Sequence, residues 1–329
     1  MTASAPSAPH RRRSDRSKHM VVWIFLLIEL FPLYMMLQVS FKDNAGFIQN
    51  PWLPSPPMTV TETIEDLDGS QRDVSRVAHW GEVFGELSPD ASRNVVGASK
   101  SWDFSVYQFG NWEFGFKLIL PFVANTVFVA VLGTACSIFF ALLGAYFFAR
   151  YKMPFSGVLW SAFLLLMLLP GVANIVPLFV LLKDMSLLNT LWALVLVGVA
   201  GAQVFNIYVL RSFIEDLPKD LFEAAEMDGA GHFQQIINIV IPMSGPILGT
   251  LAILAFLQKW NDFLLPLIVL RDKELFTLGV GLIYLDGEYV KQWGQIMAAY
   301  FIASIPLIII FLFMMRLFVR GLSSGAIKG

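Results

Sequence analysis

Six long apolar runs constrain this chain more than any other feature. They lie at roughly 20–39, 117–149, 156–183, 189–213, 243–270 and 294–319. About 20 apolar residues suffice for a helix to cross a bilayer, and each run reaches or exceeds that length. With 56% hydrophobic residues and a mean hydropathy of +0.64, a soluble domain of 329 residues could not hide this much apolar surface. The expected fold class is therefore an all-α polytopic membrane protein with six transmembrane helices. Several runs are longer than a span needs, which calls for tilt or extension beyond the lipid. Pro121, Pro170, Pro177, Pro246, Pro266 and Pro306 punctuate them, as suits helices that bend or line a path.

The placement of charge orients the runs, whereas the net charge of −2 says little. Residues 1–18 are rich in Ser, Ala and Pro and then basic, from Arg11 to Lys18, and read as a disordered tail. The run at 19–40 resembles a signal peptide but no small-x-small site follows it, so an uncleaved first helix is expected. Arg150 and Lys152, Arg211 and Lys219, and Arg316, Arg320 and Lys328 fall on the same side as that tail. The excess of basic residues in short loops marks the cytoplasm, which places both termini there.

Residues 41–116 are too long for a connector and too aromatic for a disordered linker, with Trp52, Trp80, Trp102 and Trp112 among them. They carry eleven acidic and four basic residues over 43–116. A small extracytoplasmic insertion is expected, with short strands or a helix around Val74–Glu86. It either docks a solute-binding protein or packs over helix ends. The remaining organisation is a five-helix core at 117–320, a cytoplasmic loop at 214–242 inside it, and a cytoplasmic tail at 321–329. The lone Cys136 excludes an intrachain disulfide and reads as a small buried residue. No P-loop occurs, and no metal-ligand cluster or nucleophile–base constellation argues for an enzyme.

Between the fourth and fifth runs lies a polar island, Glu223-Ala224-Ala225-Glu226-Met227-Asp228-Gly229, followed by Ile239-Val240-Ile241-Pro242. Pro218 and Asp220 suit a helix start, and Phe222–Met227 are good helix formers. Ala224 and Ala225 let a partner approach the backbone. Glu223 and Glu226 offer carboxylates to Arg or Lys. Gly229 permits a sharp turn into a second helix from about His232, itself read as solvated. The island resembles the E-A-A-x3-G-x9-I-x-L-P motif of ATP-binding-cassette (ABC) importer permeases, with Ile241 where Leu is usual.

The likeness extends to Asn125-Thr126, Ala145-Tyr146, Ala149-Arg150, Leu169-Pro170-Gly171, Ile175-Val176-Pro177-Leu178, Gln258–Phe263, Pro266-Leu267 and the ending Arg320–Gly329. Together these resemble the six-span partner subunit of maltose-type carbohydrate importers, of type I fold. The likeness covers about 117–329 and the first span, while the long 41–116 segment departs from it. It implies a second permease subunit, two ABC ATPase subunits, an extracytoplasmic sugar-binding protein, a bacterial cytoplasmic membrane and no nucleic acid. ATP and Mg would belong to the ATPase, leaving no cofactor in this chain. Glu223, Ala224, Ala225, Asp228, Gly229, Ile239 and Pro242 would couple to the ATPase, and Ser323, Ser324, Gly325 and Lys328 would lie against it.

Polar groups inside an apolar run are expensive and should face a cavity or a partner. Gln258, Trp260, Asn261, Asp262 and Phe263 in the fifth run, and Asn174 in the third, are candidate path residues, combining hydroxyl-binding groups with aromatic faces. Lys259 and Asp262 could instead pair and lock the bundle. The coupling motif is shared by importers of other solutes, so amino acids, phosphate or metal chelates are alternatives to sugar. An ion-coupled transporter would need a chain of intramembrane acids beyond Glu29, or inverted repeats, and neither is apparent.

Overall fold

The apolar runs fold as helices because no other open structure satisfies a backbone in hydrocarbon. The computed structural model describes residues 11–326 except 67–68, 88–93, 152–153, 169–170 and 289–291. Among the described residues four helices are long and apolar enough to cross a membrane, or five if one bent pair is counted as a span. They lie within α1 (Arg11–Ser40), α4 (Gly110–Arg150), α7 (Leu191–Glu215) and α14 (Trp293–Ala326). Helix α1 begins inside the segment read as a tail, and α14 continues to Ala326 through the segment read as the other tail.

Two of the six expected spans are interrupted. The third is divided between α5 (Ser156–Leu168), a 3-10 turn at Gly171–Asn174 and α6 (Ile175–Asp184). The sequence at this division is Pro170-Gly171, one residue unable to donate a backbone N–H and one with little helix preference. The fifth begins at an 84° bend, runs as α11 (Gly245–Trp260), breaks at Asn261–Phe263 and resumes as α12 (Leu264–Val269). Helix α13 (Leu278–Glu288) lies between the fifth and sixth runs, where none was expected.

The described chain forms two compact units. The first comprises residues up to 116 together with 288–302. Within it, α2 (Asn44–Gln49) precedes a three-stranded antiparallel sheet of order β2-β1-β3, built from β1 (Met58–Glu65), β2 (Gln71–Val77) and β3 (Val95–Trp102). A short helix, α3 (Trp80–Phe84), follows β2. Strand β1 alternates between buried and half-buried positions, so Met58, Val60, Glu62 and Ile64 share the covered face. Glu62 is thus a fully covered carboxylate on an apolar face.

Arg76 on β2 answers that carboxylate. Its Nε donates to Glu62 at 2.9 Å, and its two terminal nitrogens fork onto Glu82 of α3 at 2.8 and 2.7 Å. The two carboxylates hold the guanidinium charged at every accessible pH. Glu82 also accepts the His79 backbone N–H at 2.8 Å, so one cluster ties β1, β2 and α3 together.

A second buried charge closes the exit of α1. Lys42 is 2% exposed and donates to the carbonyls of Asn50 and Leu53. Asn111 bridges back to the carbonyls of Ser40 and Lys42 at 2.9 and 3.0 Å. Burial pushes the Lys42 ammonium down to about 8, whereas unfolding restores its ordinary 10.5. Between those values the unfolded chain binds the extra proton, so stability rises with pH there by about 1.4 kcal/mol per unit, and the full penalty stands below about 8. Thermal melts from pH 7 to 10 should therefore show this rise in the wild type and its absence in Lys42→Met. A parallel slope in both would contradict it.

The second unit holds residues 117–287 and 303–329. One of its cores gathers Ala141, Leu142, Ala145 and Tyr146 from α4 with Ile207, Leu210 and Ile214 from α7. Phe222, Ile236, Val240 and Leu251 close the same core from the polar island and from α11. The island is therefore fastened to the ends of spans by apolar packing.

Candidate functional site

The polar island folds as a helical knob. Helix α8 (Lys219–Met227) follows Pro218 and ends in a left-handed turn. Gly229 has φ +77°, Gly229 N–H donates to Glu226 O at 3.0 Å, and Ala230 N–H donates to Ala225 O at 2.8 Å. That bond pair is the Schellman arrangement, which favours glycine at the left-handed position. Along α8 only Phe222 is buried. Glu223, Ala224, Asp228 and Gly229 are exposed, Ala225 is half-buried, and Met227 projects at 89% exposure. The knob thus presents two small residues flanked by carboxylates, with an apolar side chain standing out from solvent-facing surface.

Ile239 and Pro242, the motif's distal members, do different work. A short helix α9 (His232–Gln235) runs into a π-helical turn at Ile236–Val240 and then α10 (Ile241–Met243). Ile239 packs against the core under the knob. Pro242 supplies no N–H and so interrupts the regular ladder directly before the 84° bend between this segment and α11. One half of the motif therefore faces outward, and the other half turns the chain into the following span.

Polar rivets set the knob's angle. Arg150, the last residue of α4, pairs with Glu226 at 3.0 Å and lies over the Phe222 ring at 4.3 Å. Tyr146 OH donates to the buried Gln235 at 2.7 Å and meets His232 Nδ1 at 3.1 Å. Tyr151 OH meets His232 Nε2 at 2.8 Å. His232 is exposed, yet its ring is held between two tyrosines rather than left to solvent. Sequence reasoning offered Glu226 to a partner protein and missed Arg150 as its mate. A basic residue closing a span, with an acid on the loop that follows the next spans, was the available signal. Phe222→Ala should loosen the knob at a cost of about 3–5 kcal/mol, because a covered ring is lost and the site is roofed by Arg150. Faster proteolysis at 218–231 with the spans intact would show it. Unchanged cleavage would refute it.

The second constellation is a cavity of about 480 Å³ among α6, α7, α11 and α12, lined by apolar side chains and by Gln258, Lys259 and Asp262. Of the candidate path residues, Gln258 and Asp262 reach it. Trp260 is buried and stacks on Phe256 at 5.6 Å. Asn261 bonds back to Leu257 O at 2.9 Å, and Phe263 lies against Gly279. Asn174 is exposed at the start of α6 and is not among the lining residues. Lys259 does not pair with Asp262, since its Nζ has no hydrogen-bond partner. Ser323, Ser324 and Gly325 fall on the last turns of α14, and Lys328 lies outside the described residues. Among the described residues no group of three or more His, Cys, Asp or Glu could hold a metal ion.

Residues 137–324 match the family of binding-protein-dependent transport system inner membrane components, a stretch that holds both the knob and the cavity. The chain belongs to that family. Membership makes it a transport subunit of a multi-pass membrane system rather than an enzyme. The permease is 31% identical over 250 residues to the arabinooligosaccharides transport system permease protein AraQ of Bacillus subtilis, covering 75% of this chain and 88% of the relative. It is 30% identical over 313 residues to the probable ABC transporter permease protein YurM of the same organism, covering 94% and 88%. The maltodextrin transport system permease protein MalD of Streptococcus pneumoniae is 31% identical over 210 residues, covering 62% and 74%. Among solved structures, a bacterial ABC transporter involved in the import of the acidic polysaccharide alginate superposes with a TM-score of 0.67 at 20% identity, over 95% of this chain and 99% of that one. That last likeness concerns the fold.

Proposed function

We propose that this permease is one membrane subunit of an ATP-driven importer of a sugar or oligosaccharide. It works by alternating access with a second permease subunit, two ATPase subunits that bind ATP and Mg, and an extracytoplasmic binding protein. The observation that carries the reading is the knob. In a member of this family, a Glu-Ala-Ala segment on α8, with Glu223 and Ala224 exposed, is fastened through Phe222 and Arg150 to the end of a span. Sugar cargo is supported by relatives whose names specify oligosaccharide transport. Six spans are counted by taking the two segments either side of Gly171 as one span and the bent pair as another. The basic residues of the short loops support a cytoplasmic position for both termini and the knob, and an extracytoplasmic one for the sheet-bearing insertion. The end of α14 and the tail beyond it, with Ser323, Ser324, Gly325 and Lys328, would then lie beside the ATPases.

Purification of the tagged subunit from its native membrane tests this. Recovery with a P-loop ATPase, a second permease and a binding protein is the expected result. Recovery alone, with transport in liposomes that needs no ATP, would overturn the reading.

A further inference from the structure

We propose that the turn at Asn50–Leu53 is a membrane anchor, seated in the lipid of the leaflet on which α1 ends. Such an anchor requires α1 to cross the membrane, whichever cargo the importer carries. The chain leaves α1 at Ser40, yet the turn comes back along the side of that helix. Gln38 Nε2 donates to Pro51 O at 2.6 Å, and Tyr34 OH donates to Trp52 O at 3.4 Å. The Trp52 ring lies 22° from the plane of the Phe31 ring, with centroids 6.4 Å apart. Tyr34 and Phe31 stand about 9 and 13 Å back along the axis from Ser40, inside the apolar run. Trp52 is therefore about two turns within the end of a span. Its side chain is nonetheless 63% exposed, and that of Leu53 beside it is 51% exposed.

The backbone of this segment is fitted to a medium without water. It is irregular, so no ladder satisfies it, yet the carbonyls from Asn50 to Pro57 are taken one by one. Besides the bonds from Gln38 and Tyr34, Lys42 Nζ donates to Asn50 O and Leu53 O, Trp80 Nε1 to Pro54 O at 2.8 Å and Tyr107 OH to Ser55 O at 3.1 Å. The backbone N–H groups of Met58 and Asp103 take Pro56 O and Pro57 O at 2.8 and 3.0 Å. Leu53 N–H finds Asn50 Oδ1 at 3.2 Å, while Pro51, Pro54, Pro56 and Pro57 bring no N–H. An unsatisfied carbonyl costs little at a wet surface and much in hydrocarbon, so a turn that meets lipid must carry its own donors. The sequence agrees, because no charged residue occurs from Asn44 to Thr61 although the insertion around it is strongly acidic. A turn facing water ordinarily shows polar side chains at its tip. This one shows Trp and Leu, and Trp is enriched where bilayer meets water.

A nitroxide on Leu53→Cys reads the surroundings of the turn, in a Cys136→Ser background and in lipid nanodiscs that hold the full chain with its co-purified subunits. Gln71→Cys, exposed beside Arg72 and Asp73 at the start of β2, is the aqueous reference. Collisions with oxygen, which concentrates in lipid, are compared with collisions with a water-soluble nickel chelate. The oxygen-to-nickel ratio at Leu53 should exceed that at Gln71 by about tenfold or more, because hydrocarbon excludes a polar chelate. Equal ratios would place the turn in water and overturn the proposal. Low access to both probes would place a protein surface there, such as the second permease subunit, and would overturn it equally. Either result leaves the importer reading standing. Trp52→Phe keeps a ring against Phe31 and needs no label. It should remove tryptophan emission that acyl-brominated lipids quench and leave the iodide-quenched emission unchanged. Loss from the iodide-quenched emission, or from neither, would contradict the anchor.

Discussion

Glu223→Lys is expected to bring ATP-driven uptake to background while the subunit remains in the membrane at wild-type abundance. Glu223 is exposed on α8 and makes no contact that holds the knob together, so its reversal should leave the fold alone. What it changes is the surface that the proposed coupling would offer to an ATPase. Reversing a charge at a docking face replaces attraction by repulsion, worth several kcal/mol where the contact is desolvated. Gly229→Leu should act at the same place by another route. A left-handed φ of +77° costs a side-chain-bearing residue about 1–2 kcal/mol. Beyond its chain neighbours no described atom lies within 4 Å of the position its Cβ would take, so the added bulk projects into the surface proposed for docking. Uptake and co-purified ATPase, measured together, separate docking from insertion. Normal uptake by both variants would sink the coupling assignment.

Arg76→Met should unfold the sheet-bearing unit locally, at a cost of about 3–5 kcal/mol. The substitution leaves Glu62, fully covered, and Glu82, 3% exposed, without their shared cation. One oxygen of Glu62 already lacks a hydrogen-bond partner, so the loss of Arg76 leaves that buried carboxylate poorly satisfied. Glu82→Gln in the Arg76→Met background should recover part of the loss by removing one of the two carboxylates. Limited proteolysis of the intact chain across 58–102 reads the effect. Resistance equal to wild type in Arg76→Met would show that the cluster is dispensable.

The sequence spoke most clearly where physics is local. Apolar length announced helices, and Gly229 at the end of a run of helix formers announced a sharp turn. It was less informative about interruptions. The runs at 156–183 and 243–270 are apolar on average, so their length and hydropathy do not place the breaks at Gly171–Asn174 and Asn261–Phe263. Such breaks depend on which neighbour accepts the freed backbone groups. The knob's rivets were hidden for a similar reason: Tyr146 and Gln235 are 89 residues apart and meet only in the fold. Nothing in the sequence around Glu62 marks it as buried, and its partner Arg76 comes from the neighbouring strand. Lys259 looked like half of an i,i+3 pair, and only the slot between Gly133 and Gly198 shows why it turns elsewhere.

The bend at Ser244 makes the knob segment and α11 a bell-crank. The pivot is a fully buried serine, and the longer arm carries 16 residues, about 24 Å of helix. Lys259 sits one residue short of its tip. A swivel of about 10° at the pivot, less than one part in eight of the bend itself, would sweep the ammonium through about 4 Å. Rigid levers of this kind multiply displacement without needing any helix to melt, so a modest push on the knob would shift the far end of α11 by more than the width of a hydrogen bond.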